Sequence, residues 1–138
     1  MNVSLKRQTK PFHFEAKGDS NIAINIDASP EVGGHNLGAR PMELVLMGLG
    51  GCASIDLGLI LSKQKQELND YSVRINAIRK TNTAKEFETI NMHFELIGDL
   101  DKTKVERALE LTFTKYCSVA ISLSEKIKIN YTYTIYNE

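Results

Sequence analysis

The stretch LVLMGLGGCASIDLGLIL, residues 44–61, decides how the rest of the chain is read. Its one charge is Asp56, and its apolar positions show neither the alternation of a strand nor the single stripe of a surface helix. Pro41 fits the first turn of a helix, Glu43 stands near that helix's positive end, and Lys63 and Lys65 suit the other end. A helix apolar on all sides is a buried one, so the sequence predicts a long central helix from Pro41 to about residue 64. The same length would suffice for a membrane span. Asp56 within it, the interruptions at Gly48, Gly50, Gly51 and Gly58, and the flanking pattern argue for a soluble core helix, and no membrane partner is expected.

Those glycines carry a further implication. Each costs about 0.5–1 kcal/mol relative to alanine in a helix, roughly 2–4 kcal/mol for the four. The loss needs compensation, and the small residues Gly48, Gly50, Gly51, Cys52, Ala53 and Ser54 leave a smooth face that another backbone can approach. The second helix of the chain or the same helix of another copy would serve. So few other helices are expected that the second choice is favoured, and it predicts a homodimer centred on residues 41–64.

Outward from this helix the period changes to two. On the N-terminal side Phe12, Phe14 and Ala16, then Ile22, Ile24 and Ile26, alternate with polar residues, as in two half-buried antiparallel strands joined through a turn at 17–20. Residues 27–40 are turn-rich and read as a surface loop. Its glycines lack the Lys-Ser/Thr or G-x-G-x-x-G context of a phosphate loop. On the C-terminal side Tyr71, Val73, Ile75 and Ala77 form the inward face of one strand and Ile90, Met92, Phe94 and Leu96 that of the next, with 81–87 as the polar link. A second helix begins near 101–103, with the stripe Val105, Ala108, Leu109, Thr112, Phe113 and Tyr116, and Cys117 follows at its C-terminal turn. Alternation at Ile127, Ile129, Tyr131, Tyr133 and Ile135 closes the chain. The order predicts an α+β fold with antiparallel sheet, in one domain over residues 1–138, and not a nucleotide-binding βαβ array.

Seventeen basic and seventeen acidic residues balance to zero. Phosphate neutralisation needs a basic surplus or stripe, so nucleic acid is not an expected partner. The first residues lack the apolar run of a secretory signal, and a cytoplasmic location with reduced thiols is expected.

The candidate chemistry lies in the two cysteines. Cys52 and Cys117 lack C-x-x-C or metal-type spacing, His13, His35 and His93 are scattered, and no metal or cofactor is expected. Ser54 has no nucleophile-elbow context. Either thiol can be a small buried residue chosen for packing, or a reactive group. Cys52 lies about three turns into its helix, beyond the reach of the helix dipole. Asp56, one turn later on the same face, disfavours its thiolate. An activating cation must come from elsewhere, with Lys17, Arg40, His35 and Lys115 as candidates. Cys117, near a helix C-terminus, suits a resolving or resting thiol.

The segment RPMELVLMGLGGCASID (40–56), with KYCSV (115–119) some sixty residues later, resembles the OsmC/Ohr superfamily, and most closely its YhfA-like branch. The resemblance spans essentially the whole chain. It implies an intertwined α+β homodimer with two thiol sites at the subunit interface, Cys52 being the peroxidatic and Cys117 the resolving cysteine in reduction of organic hydroperoxides or related oxidants. In the family's peroxidases an Asn-Pro-Glu at the helix start pairs with an N-terminal arginine. Here Pro41 is followed by Met42, Glu43 comes one position later, and Lys17 is the nearest base where the arginine is expected. Arg40, Glu43 and Lys17 are therefore the candidate activating residues. An apolar pocket from Leu44, Leu46, Met47 and Phe113 would favour fatty-acyl or aromatic substrates, and an external thiol or dithiol would reset the disulfide. The missing arginine favours the alternative, a non-catalytic protein of this fold that binds or senses a small hydrophobic or reactive-sulfur ligand.

Overall fold

The computed structural model describes residues 1–137. Its contacts divide the chain into two units, Met1–Met47 and the residues from Gly48 onward.

The first unit is a meander of three antiparallel strands, β1 (Ser4–Thr9), β2 (His13–Lys17) and β3 (Ala23–Ile26), with β2 in the middle. Strand β1 was not foreseen, because its SLKRQT has no apolar alternation. The pairing of β2 with β3 sets Phe14 opposite Ile26 and Ala16 opposite Ile24. Their expected apolar face does not make a core within this unit: Ala16 is buried, whereas Leu5, Phe12, Ile22 and Ile24 are exposed. A lone three-stranded sheet has no second layer to bury its face against.

The loop from 27 to 40 is tightly built. Buried Asp27 accepts three backbone N–H bonds, Oδ1 from Ala28 (2.8 Å) and Oδ2 from His35 (2.9 Å) and Leu37 (3.1 Å). Burial works to raise its pKa, but these three donors outweigh it and hold the carboxyl below its ordinary value.

Helix α1 (Pro41–Lys63) has the expected bounds and is long and apolar enough to cross a membrane. In this chain, however, only one face of it is buried, through Leu49, Gly50, Ala53, Leu57 and Leu61. The i, i+3, i+4 recurrence of these residues makes a stripe that the uniform hydropathy of the sequence conceals. The glycines divide between two surroundings. An added Cβ would lie 2.7 Å from Ile75 Cδ1 at Gly50 and 2.8 Å from the Tyr71 hydroxyl at Gly58, whereas at Gly48 and Gly51 it would meet nothing within 4 Å. Half of the glycine cost is thus offset by close approach of a strand, neither of the two partners expected. The opposite helix face, with Met47, Ile55 and Leu59, stands exposed.

The second unit packs α1 and α2 (Lys102–Leu111) with a sheet of order β4-β5-β6. Long antiparallel strands β4 (Glu67–Arg79) and β5 (Phe87–Asp99) form its hairpin. The inward residues Ile90, Met92, Phe94 and Leu96 of β5 are almost wholly buried, as the alternation predicts. Phe87, placed by the sequence in the polar link, is instead the first core residue of β5, paired with Arg79. Strand β6 (Lys128–Tyr136) runs parallel to β5, so this sheet is mixed and not antiparallel throughout as expected. Parallel neighbours need a long crossover. Residues 100–127 supply it, and Cys117 lies within it.

A bulge near one end of the hairpin pairs Leu68 with Gly98 and Asp70 with Ile97, leaving Asn69 unopposed. Gly98 has φ +148°, and a Cβ there would lie 1.9 Å from the Glu67 carbonyl oxygen. Gly98→Ala is expected to cost more than about 1 kcal/mol, measured as a lower denaturation midpoint at unchanged m.

Candidate functional site

Helix α2 begins at Asp101, whose carboxylate accepts from the Lys104 amide at 2.9 Å in a side-chain N-cap. Val105, Ala108, Leu109 and Thr112 are buried, as their helical spacing predicts. Residues Thr112–Tyr116 then open into a π-turn, closed by the bond from the Cys117 amide to the Thr112 carbonyl (2.8 Å). The wider turn breaks the register of the stripe. Tyr116, expected on the buried face, is exposed. Phe113 turns to the sheet, stacked on Tyr131 (centroids 4.6 Å) and edge-on to Phe94 (6.3 Å). Its ring contacts are those of a packing residue.

The π-turn delivers Cys117 to α1. A short helix α3 (Ser118–Ser122) starts at once, with Cys117 as its N-cap residue. Cys117 thus stands between the end of one helix and the start of another, where the sequence shows only the former. Its sulfur, the Cys52 sulfur and an oxygen of Asp56 lie within 4.8 Å of one another. The Cys52 Sγ–H donates to Asp56 Oδ2 at 3.8 Å, and Ser118 Oγ is 3.7 Å from Cys52 Sγ. Both thiols are free; Cys117 is fully buried and Cys52 partly exposed.

The two thiols differ in acidity. Burial works to raise the Cys52 pKa, but bonds from the Val119 amide, the Ser118 hydroxyl and the Cys117 thiol outweigh it, and the value falls below the ordinary 9.0. The Asp56 charge opposes them, as its position in the sequence implies. None of the strongest influences is a cation. The acidifying groups are one amide in the first turn of α3, a hydroxyl and the neighbouring thiol, hydrogen-bond donors that favour thiolate. Burial pushes Cys117 up to about 11, the Ala120 amide working against it and the neighbouring Cys52 and Asp56 adding to it. Of the two, Cys52 is the more acidic thiol, and Cys117 keeps its proton at neutral pH. Asp56→Asn removes the opposing charge. It is expected to move the midpoint of the Cys52 alkylation rate to lower pH and to speed labelling at pH 7 several-fold.

Asp56, but neither thiol, lines a cavity of about 280 Å³ whose other walls are Leu59, Ile60, Leu111 and Tyr116, with Lys63 and Gln64 as further polar members. Gln64 Oε1 is buried without a hydrogen-bond partner. These residues lie one to three turns beyond Cys52 along α1 and just past its end, at the end of α2 and on the π-turn, and no sequence pattern marks them as a pocket. Ser118 and Val119 stand in the sequence only as part of the KYCSV motif. The signal that would have found them is the cap position of Cys117, which aims the amides after it back at sulfur.

The remaining candidates belong mostly to the first unit. Arg40 precedes α1, and its amide donates to Glu43 Oε2 at 2.9 Å, the reciprocal half of a capping box. The Arg40 guanidinium donates to the Gly38 carbonyl (2.9 Å) and to Asn36 Oδ1. Lys17 pairs with Glu15 at 3.5 Å. Leu44 and Leu46 are half-buried and Met47 is exposed. His35 serves through its backbone, on Asp27. In the second unit Lys115 lies over the Tyr116 ring, 5.3 Å from its centroid.

A family model described as OsmC-like protein matches residues 34–132. Protein YhfA of Escherichia coli K12 is 41% identical over 96 residues, covering 69% of this chain and 72% of that protein. Among solved structures, a hypothetical protein from Aquifex aeolicus superposes with a TM-score of 0.87 at 26% identity, over 99% of this chain and 96% of the other. An organic hydroperoxide resistance protein from Legionella pneumophila superposes with a TM-score of 0.74 at 15% identity, over 97% of each chain, a likeness of fold.

Proposed function

Because the chain belongs to the OsmC-like protein family, we propose that it is a thiol-dependent redox protein that reduces organic hydroperoxides through Cys52 and Cys117. The observation that carries this reading is the pairing of two free sulfurs within 4.8 Å whose acidities are pushed in opposite directions. The Cys52 thiolate attacks the terminal oxygen of ROOH, the O–O bond breaks, and the alkoxide takes a proton to leave as ROH. Cys52 is then a sulfenic acid. The Cys117 sulfur attacks it, water departs, and a Cys52–Cys117 disulfide remains. An external thiol or dithiol returns both sulfurs to the reduced state, consistent with a reducing, cytoplasmic setting. The apolar cavity beside Asp56 suits an apolar R group, with Lys63 and Gln64 available to a polar substituent.

The reading includes a homodimer. The exposed apolar face of α1, open at Gly48 and Gly51, and the uncovered apolar residues of the first sheet are surfaces a second copy would bury. Ile55→Asp tests it. A surface change in a monomer alters stability within about 0.5 kcal/mol, whereas in a helix–helix interface it splits the assembly. Sedimentation is expected to show a wild-type dimer at micromolar concentration and an Ile55→Asp monomer; a folded wild-type monomer would end the proposal of a dimer.

The absence of a cation among the strongest influences on Cys52 favours a second reading, a binding or sensing protein without turnover. The deciding experiment treats reduced protein with one equivalent of cumene hydroperoxide. Reduction predicts a mass loss of two hydrogens per chain, an internal disulfide and one equivalent of alcohol. Unchanged thiols with intact hydroperoxide would leave only the binding reading.

A further inference from the structure

Cys52 and Asp56 are four residues apart on α1, the spacing that places two ligands on one helical face in the H-E-x-x-H zinc motif. Cys117 brings the third donor from the N-cap position of α3, its amide hydrogen-bonded to the Thr112 carbonyl. Tetrahedral zinc with bonds of about 2.3 Å to sulfur and about 2.0 Å to oxygen sets its ligand atoms roughly 3.5–3.8 Å apart. The Cys52 Sγ to Asp56 Oδ2 distance is 3.8 Å, and the three donors lie within 4.8 Å of one another. The donor separations are thus close to that spacing.

We propose that the reduced Cys52–Cys117 pair, with the Asp56 carboxylate, is a binding site for a thiophilic divalent cation, zinc above all, that disulfide formation empties. Two thiolates and a carboxylate suit zinc, whereas magnesium and calcium prefer all-oxygen shells. The fourth position is open to water, with the Ser118 hydroxyl 3.7 Å from Cys52 Sγ available to hold it. The Val119 and Ala120 amides and the Ser118 hydroxyl, which bond the sulfurs, form the outer layer that orients metal ligands. The cavity that includes Asp56 gives an ion its path inward. Uptake forms two metal–sulfur bonds and releases two thiol protons without electron transfer. Oxidation by ROOH with two protons returns the free cation, the disulfide, ROH and water. Binding of the cation needs nothing of the hydroperoxide chemistry; only its release rests on that reading.

The test uses the full chain, reduced and without oxygen, titrated with cobalt(II) and then zinc(II). One cobalt per chain is expected, with thiolate-to-cobalt charge-transfer absorption in the near ultraviolet, the visible bands of tetrahedral coordination, and displacement by zinc. Cys52→Ser and Cys117→Ser remove the charge-transfer band. Asp56→Asn, nearly isosteric and therefore least disturbing to the fold, changes the visible bands and weakens binding at least 10-fold. Absence of charge transfer at one equivalent overturns the site, as do spectrum and affinity untouched by Asp56→Asn. Cumene hydroperoxide added to the cobalt form separates the two proposals. A bound cobalt that hydroperoxide does not release, in a chain whose metal-free form makes the disulfide, overturns the emptying of the site; a metal-free chain that makes no disulfide yet binds cobalt removes the peroxidase alone, and disulfide formation in a chain that never bound cobalt does the reverse.

Discussion

Cys52→Ser is expected to lower dithiothreitol-dependent hydroperoxide consumption on the order of 10³-fold or more, because loss of a covalent nucleophile removes the pathway itself. A hydroxyl does not ionise near neutral pH, so the donors that favour the Cys52 thiolate would have no anion to stabilise. Cys117→Ser should behave differently. Attack at Cys52 survives, so the first equivalent of hydroperoxide is still consumed, and the sulfenic acid that Cys117 would have resolved accumulates. Mass spectrometry should then show one added oxygen on residue 52, progressing to irreversible sulfinic acid under excess oxidant. Equal losses at both stages for both variants would contradict the division of roles. Turnover unchanged in Cys52→Ser would remove the redox function outright.

The largest effect on stability is expected at Phe94. It is fully buried in β5, between β4 and β6, with Phe113 edge-on to its ring. Phe94→Ala deletes the ring from a core that cannot collapse around the space, at a cost of about 3–5 kcal/mol. Against a total stability of about 5–15 kcal/mol that is a severe loss, and thermal unfolding should fall by roughly 10–20 °C. Phe113 heads the π-turn and would lose its edge contact, so the alkylation rates of Cys52 and Cys117 should converge in the variant. A loss below about 1 kcal/mol would mean that the β5 core is far looser than its burial indicates.

Period-two and helical patterns were legible where burial is one-sided. The inward residues of β4 and β5 and the stripe from Val105 to Thr112 stand where their spacing puts them, and α1 has its expected bounds. The motifs around Cys52 and Cys117 also pointed to one family, and the two sulfurs do meet. What remained hidden has physical causes. Strand β1 is polar on both faces, so no alternation betrays it. In α1 hydropathy is uniform around the circumference, and burial could not be read from it; the close approach of Tyr71 and Ile75 to its glycines decides the buried face. Parallel pairing of β6 is a matter of crossover path, which local patterns do not encode. Arg40 and Glu43 were weighed as catalytic, yet their spacing equally serves a helix start, and their bonds show that use. Asp56 was judged only by its effect on a neighbouring thiol, since an acid four residues from one cysteine says nothing of a second arriving from the crossover.

The π-turn at Thr112–Tyr116 is a helix with one residue to spare. Deleting a single residue there would give back ordinary helical bonding and swing whatever follows by about 100°. The tidier molecule would carry its second sulfur off the axis of the first, retaining every side chain that does chemistry and losing the encounter between them. Reach across that short gap is thus a property of chain length, written as a surplus of one.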